Sequence, residues 1–281
     1  MVKLLKAGII LILLGVGASI AGFLTTKDEV GNDFSNQTYT LVEDSYVAGA
    51  ISIINMDLSN REVIVGRSTS DKIEVRYYVS ENDPIEASEE NNSLTFDSDI
   101  IWYWNFFSVF NWLNWNASEH FDFYLLLPEG TNFDLNIDTS NGVITVESLD
   151  NLGALDLNTS NGHVNLINVD SESIRVDTSN GIITVNNVDC GVSGNIDLRT
   201  SNGAINVLAV VTADLTCHTS NGSIDVEMAG EFSDYATNLA TSNGTIYVDG
   251  NILAAGLYNS SNARRIILNT SNGSIHLDFE P

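Results

Sequence analysis

From about residue 130 to the C-terminus, apolar side chains fall on alternate positions, and the same four residues, Thr-Ser-Asn-Gly, interrupt the alternation again and again. After each Gly the chain reads x-Ile-x-Val: Ile144/Val146, Val164/Leu166, Ile183/Val185, Ile205/Val207, Ile224/Val226, Ile246/Val248 and Ile275/Leu277. Before each Thr the alternation runs backwards, as in Leu135/Ile137, Leu155/Leu157, Ile174/Val176, Ile196/Leu198, Leu215/Cys217 and Ile266/Leu268. Period-two patterning on both sides of a turn predicts strand, corner, strand, and not helix. The tetrapeptides begin at Thr139, Thr159, Thr178, Thr200, Thr219, Thr241 and Thr270, spaced by 20, 19, 22, 19, 22 and 29 residues. Asn-Gly also favours hairpin turns. A meander of hairpins has no reason to repeat one corner at this interval, whereas stacked coils place identical corners above one another.

The pattern predicts an all-β chain, a parallel β-helix or solenoid with about seven regular coils of about 20 residues over 135–281. Each coil should turn its Thr inward. Asn and Gly are expected at the corner because a sharp bend calls for residues tolerant of positive φ. The amides of Asn141, Asn161, Asn180, Asn202, Asn221, Asn243 and Asn272 are then expected to form a hydrogen-bonded ladder along the axis, with Asn272 at its end, at the inter-strand repeat of ~4.8 Å. Length variation concentrates after the x-Ile-x-Val strand, in Asp189–Gly194, Gly230–Tyr235 and Gly250–Arg265. These loops should share one edge of the solenoid.

Residues 46–134 look like the same design in degenerate form. Gly49-Ala50-Ile51-Ser52-Ile53 matches the half-coil after a corner, and Thr69-Ser70-Asp71-Lys72-Ile73-Glu74-Val75 matches the full motif with Asp for Asn and no Gly. Leu94–Phe96 and Phe121–Leu127 are candidates for a hairpin, and Pro128-Glu129-Gly130 for the turn that launches the array. All four tryptophans, Trp102, Trp104, Trp112 and Trp115, lie within Ile100–Trp115. That segment suits a plug over the open solenoid end, or a contact with a membrane surface or partner, where Trp and Tyr are favoured.

Residues 25–45 read as a linker. Ahead of it, Lys3 and Lys6 precede an uncharged, largely apolar run over residues 7–24. Its ~27 Å as a helix approaches the hydrocarbon thickness of a bilayer. A single-pass membrane anchor with the repeats outside the cell is expected; cleavage near Ser19-Ile20-Ala21 would instead secrete them. The chain carries 37 acidic against 11 basic residues, net −26. Such a field repels nucleic acid and anionic lipid headgroups, so neither is expected as a direct partner. No calcium-loop motif, phosphate loop or dinucleotide fingerprint is present, and His120, His163, His218 and His276 are scattered. No metal or cofactor is therefore expected.

Outward positions bring one charged group together: Asp156, Arg175, Asp177, Asp197, Arg199 and His218, across four adjacent coils. As a catalytic site it would suit a carbohydrate-active lyase or hydrolase centred on Asp177, Arg199 and His218. Alternating Asp and Arg up a ladder is also how neighbouring strands pair opposite charges, and the non-enzymatic interpretation is preferred. Whether these side chains line a groove or pair on a flat sheet separates the two.

The repeat Leu-x-Leu-x-Thr-Ser-Asn-Gly-x-Ile-x-Val, with Leu-Pro-Glu-Gly at Leu127–Gly130, resembles the putative-adhesin β-strand-repeat family of exported prokaryotic domains, over roughly residues 46–281. The resemblance implies a β-helix at the cell surface and brings no catalytic residues. Together with the anchor it points to a surface binding or scaffold module for a glycan or protein ligand.

Overall fold

The computed structural model describes residues 39–81, 83–98 and 122–280. The chain divides into Met1–Thr40 and Leu41–Pro281, and the description concerns the second unit. Residues 7–24 and the tryptophan segment lie outside the described residues. Among those described, no helix is long and apolar enough to cross a membrane.

Among the described residues, twenty-one strands hydrogen-bond into one sheet. In chain order the first are β1 (Thr40–Val47), β2 (Ile53–Asp57), β3 (Glu62–Arg67), β4 (Lys72–Val79), β5 (Glu86–Glu90), β6 (Ser93–Asp97) and β7 (Asp122–Leu127). The middle holds β8 (Asp134–Thr139), β9 (Ile144–Thr159), β10 (Val164–Thr178), β11 (Ile183–Asp189), β12 (Asn195–Thr200), β13 (Ile205–Val211), β14 (Asp214–Thr219) and β15 (Ile224–Ala229). The end comprises β16 (Tyr235–Thr241), β17 (Ile246–Val248), β18 (Asn251–Leu253), β19 (Gly256–Tyr258), β20 (Arg264–Thr270) and β21 (Ile275–Glu280).

The all-β, solenoid-like expectation holds. Successive coils pair in parallel and in register: Ile144 opposite Val164, Val164 opposite Ile183, Ile183 opposite Ile205 and Ile205 opposite Ile224. Across the coil, Leu135, Leu155, Ile174, Ile196, Leu215 and Ile266 form the facing column. Both columns are essentially solvent-free, so alternation along each strand becomes a continuous core along the axis.

Four successive coils have a second corner besides Thr-Ser-Asn-Gly. The Thr-Ser-Asn-Gly corner was visible in the sequence; the other was not. It lies where Ser148, Asn168, Asn187 and Ala209 adopt φ of 57°, 54°, 54° and 54°, turning the chain inside what would otherwise be single strands. Asn187 Nδ2 donates to Asn168 Oδ1 at 2.8 Å there. The insertions at Asp189–Gly194, Gly230–Tyr235 and Gly250–Arg265 also follow the second strand of their coils.

Stacking order departs from chain order at both ends. β2 and β3 lie between two later coils, with β6 and β7 on one side and β8 and β9 on the other, all parallel. At the far end β20 and β21 insert between β14–β15 and β16–β17. The outermost coils are closed by antiparallel strands: β4 on β7, β5 on β6, β18 on β17 and β19 on β16. Aromatic clusters fill both ends. Tyr77 stacks on Phe123 at 4.8 Å, with Phe96 edge-on to both. Phe232, Tyr235, Tyr258 and Phe279 pack at the other end, with the Arg264 guanidinium 4.3 Å above the Tyr235 ring.

Several expectations for residues 46–134 change accordingly. β6 and β7 are two halves of one coil, not a hairpin, because each pairs in parallel with the coil above. The Thr69–Val75 segment is no corner, since β4 runs antiparallel to β7 as a cap. Gly49 and Ala50 lie in a 3-10 turn, and the strand after them aligns with the half-coil before a corner. The hidden corner is Leu58-Ser59-Asn60-Arg61, which falls directly under Thr139-Ser140-Asn141-Gly142: Leu58 N–H donates to Asp138 O, and Val63 pairs with Ile144.

Candidate functional site

The Thr-Ser-Asn-Gly corners form a spine with a three-part bonding unit. Thr159, Thr178, Thr200 and Thr219 donate their hydroxyls to the carbonyls of Gly142, Gly162, Gly181 and Gly203 in the neighbouring coil, at 2.9–3.2 Å. Thr159 and Thr178 Oγ1 also accept the N–H of Gly162 and Gly181 in their own coil, each at 3.1 Å. A buried hydroxyl is thereby satisfied in both directions, which is why Thr is tolerated in an aliphatic core. The Asn side chains complete the unit. Asn161 donates to Asn141, Asn180 to Asn161, Asn202 to Asn180 and Asn221 to Asn202, at 2.6–2.8 Å. Asn272 then donates to Asn221 and Asn243 to Asn272, both at 2.8 Å. At the other end Asn141 donates to Asn60. Among the described residues the ladder therefore runs from Asn60 to Asn243, and Asn272 is an interior member because its coil is inserted.

Glycine is required at this corner for a reason other than the one expected. None of the corner Asn-Gly pairs has positive φ; of the ladder residues only Asn60 does, at 58°. A Cβ on Gly162, Gly181, Gly203 or Gly222 would instead lie 1.6, 1.7, 1.8 or 1.9 Å from the carbonyl oxygen of the glycine stacked beside it. Close backbone approach excludes every side chain. The Leu58–Arg61 corner carries Arg61 in the equivalent place, fully buried and paired with Asp83 at 2.6 Å.

The charged group lies on the outer face of the strands that precede the corners. Asp156 and Asp197 flank Arg175 in register, and Asp177 and His218 flank Arg199. Arg199 holds Asp197 through a forked pair, Nε to Oδ1 at 3.0 Å and Nη2 to Oδ2 at 2.9 Å, which raises the guanidinium pKa further. Arg175 approaches Asp156 at 4.0 Å, and Asn158 donates to Asp156 at 3.0 Å. His218 is exposed and bonded to none of the described residues. Two ion pairs therefore account for Asp156, Arg175, Asp197 and Arg199, while Asp177 and His218 have no ion-pair partner among the described residues. A general acid and base would need to face a common substrate atom.

Sequence reasoning missed two acidic columns. Asp57 pairs with Asp97 and Asp138 on the same face, and burial, then Asp57 and Asp156, push the Asp138 pKa up. At the second corner Asp170 pairs with Asp189 in register; burial, then Asp150 and Asp189, push its pKa up. Among the described residues, no group of three or more His, Cys, Asp or Glu is placed to hold a metal ion. A groove of about 520 Å³ opens beside the N-terminal cap, lined by Glu43, Asp44, Glu74, Arg76, Tyr124 and Leu126 among others. Cys190 and Cys217 are free and buried. Trp102, Trp104, Trp112 and Trp115 lie outside the described residues.

A family model, Toastrack DUF4097, matches residues 51–278. The chain belongs to the Toastrack family. The resemblance carried by the repeated corner is thus borne out. A comparison with curated proteins gives no match. Among solved structures, a putative cell adhesion protein from Clostridium sporogenes is similar, with 12% identity and a TM-score of 0.40 over 86% of this chain and 100% of that one. A putative adhesin from Parabacteroides distasonis shares 18% identity, with a TM-score of 0.42 over 87% of this chain and 98% of the other.

Proposed function

We propose that this Toastrack chain is a non-enzymatic binding or scaffold module, held in the membrane by residues 7–24 and displayed outside the cell. The observation that carries this reading is the uninterrupted corner spine. Threonine and asparagine bonds link each described corner from Asn60 to Asn243 to its neighbour, so the solenoid acts as a stiff spacer. Its strongly acidic surface discourages non-specific adhesion to nucleic acid and anionic lipid. The pairing of Arg199 with Asp197 on its own strand favours a structural role for this group over catalysis. The groove at Glu43, Glu74, Arg76 and Tyr124 is where a surface glycan or protein ligand would find both polar and aromatic contacts.

The test is a glycan and cell-wall binding array with the full chain, run beside a variant carrying Glu74→Ala and Tyr124→Ala. Retention of one ligand class by the parent and its loss in the variant supports the reading. Release of polysaccharide fragments that stops with Asp177→Asn would replace it with an enzymatic one.

A further inference from the structure

All seven Asn-Gly dipeptides of the chain sit in the corner spine. Asn-Gly is chemically the most labile peptide context for asparagine, because the unhindered glycine nitrogen can attack the side-chain carbonyl. In six of the seven the ladder holds the amide at both ends: Nδ2 donates to one neighbour while Oδ1 accepts from the next. Asn243 differs. Its Nδ2 donates to Asn272 Oδ1 at 2.8 Å, but no described residue donates to its own Oδ1. The backbone agrees with the side chain. Gly142, Gly162, Gly181 and Gly203 are buried, Gly222 and Gly273 are half-buried, and Gly244 is exposed. Thr241 is likewise less buried than the threonines of the interior corners.

We propose that Asn243 is a site of spontaneous covalent modification, and that conversion then proceeds inward from this end of the ladder. The Gly244 amide nitrogen attacks Asn243 Cγ and gives up its proton to solvent. The Cγ–Nδ2 bond breaks and the nitrogen leaves as ammonia, forming a five-membered succinimide. Water opens that ring at either carbonyl, giving isoaspartate or aspartate with no change of oxidation state. The product has no amide to offer Asn272 Oδ1, so Asn272 becomes the new end and Asn221 follows it. The opposite end is protected, because Asn60 is followed by Arg61 and not by glycine. The order of modification is set by stacking and contradicts chain order: 243, then 272, then 221.

The experiment ages the full chain in mildly alkaline buffer and follows each Asn-Gly peptide by mass spectrometry with isoaspartate detection. A parallel sample in denaturant supplies the reference, since all seven sites share the Ser-Asn-Gly context and should react alike when unfolded. In the folded chain Asn243 should convert about fivefold faster than Asn202, the factor that one net hydrogen bond corresponds to. Asn272 should appear second. In Asn272→Ala, Asn221 loses the donor on its Oδ1 and should become labile while Asn161 and Asn180 stay slow. Should that variant fail to fold, the order of appearance in the parent decides alone. Equal folded-state rates at Asn202 and Asn243, or appearance of Asn221 before Asn243, would overturn the proposal.

Discussion

Replacing Gly203 by Ala tests the packing argument for the corner more sharply than any change to the core. The added Cβ would meet Gly181 O at 1.8 Å and Gly181 C at 2.6 Å, and real Cβ contacts do not fall below 3.0 Å. Coils separated by the ~4.8 Å strand repeat must therefore part at this corner. Three bonds span the same gap: Thr200 Oγ1 to Gly181 O at 3.0 Å, Asn202 Nδ2 to Asn180 Oδ1 at 2.8 Å, and Asn202 N–H to Ser179 O at 2.9 Å. Each is worth ~1 kcal/mol net, and forcing atoms into packed space costs a further ~1–3 kcal/mol. The entropy gained in the unfolded chain returns ~0.4–1 kcal/mol, leaving a loss of about 3–5 kcal/mol. Two controls separate close approach from other glycine effects. At Gly49 a Cβ meets nothing within 4 Å, so Gly49→Ala should stay within ~0.5 kcal/mol of the parent. A Cβ at Gly244 would meet Gly273 O at a similar 1.9 Å, but its coil is the outermost of the stack and can shift, so Gly244→Ala should fall between the two. Urea unfolding of the three variants is the assay. A loss below ~1 kcal/mol for Gly203→Ala, or one equal to that of Gly49→Ala, would refute the close-approach account.

Removing one ladder amide should follow spatial rather than chain position: Asn202→Ala, with partners on both sides, should cost ~2 kcal/mol and Asn243→Ala ~1 kcal/mol, and equal unfolding midpoints would count against a stacked ladder. The Asp170 pKa is raised in the folded chain, first by burial and then by Asp150 and Asp189. The folded state therefore binds protons more readily than the unfolded state, and this group's contribution to stability should grow as pH falls from neutral towards the ordinary carboxylate range. Asp170→Asn should raise the melting temperature at pH 7, by the ~0.5 kcal/mol or less typical of screened surface charges, and flatten its pH dependence; an unchanged slope would show that the column does not matter. Burial, with help from Asp189 and Asp170, pushes the Cys190 thiol up to about 12, and burial pushes Cys217 up as well. Both should resist a thiol reagent at pH 8 until denaturant is added; labelling of the native protein would contradict their placement in the core.

The features legible in the sequence are those that repeat in residue identity. Thr, Asn and Gly each meet a separate demand at the corner (an internally satisfied hydroxyl, a cross-coil amide, and absence of Cβ), so selection leaves the same letters at each coil. The second corner demands only a left-handed backbone, met here by Ser148, Asn168, Asn187 and Ala209. Each lies six residues after its corner glycine, but the residue type changes from coil to coil, so no motif is left. Leu58-Ser59-Asn60-Arg61 was hidden because it carries Leu and Arg where the repeat has Thr and Gly, and its Ser-Asn pair before Val63 and Val65 was the remaining signal. Among site residues, Asp177, Arg199 and His218 could be placed together from register alone. That Arg199 reaches along its own strand to Asp197 depends on rotamers, which alternation does not encode.

The inserted end coils follow from a difficulty that every parallel solenoid faces. A coil at the end of the stack has one edge with no neighbour, exposing both ladder groups and core. A chain that simply stopped there would leave its terminal strands held on one side only. Here the first coil, β2–β3, and the last, β20–β21, each lie between two others, so their strands are paired on both edges. The exposed positions pass to β6–β7 and β16–β17, whose chain continues at both ends. Only strands running the opposite way can close these coils locally, because a parallel partner needs a long crossover. That is the role of β4, β5, β18 and β19. Composition completes the closure at one end: β5 reads Glu-Ala-Ser-Glu-Glu and is exposed throughout, a charged edge that discourages a further strand from adding. At the other end β18 and β19 are three residues each, and their brevity limits strand addition where charge is absent.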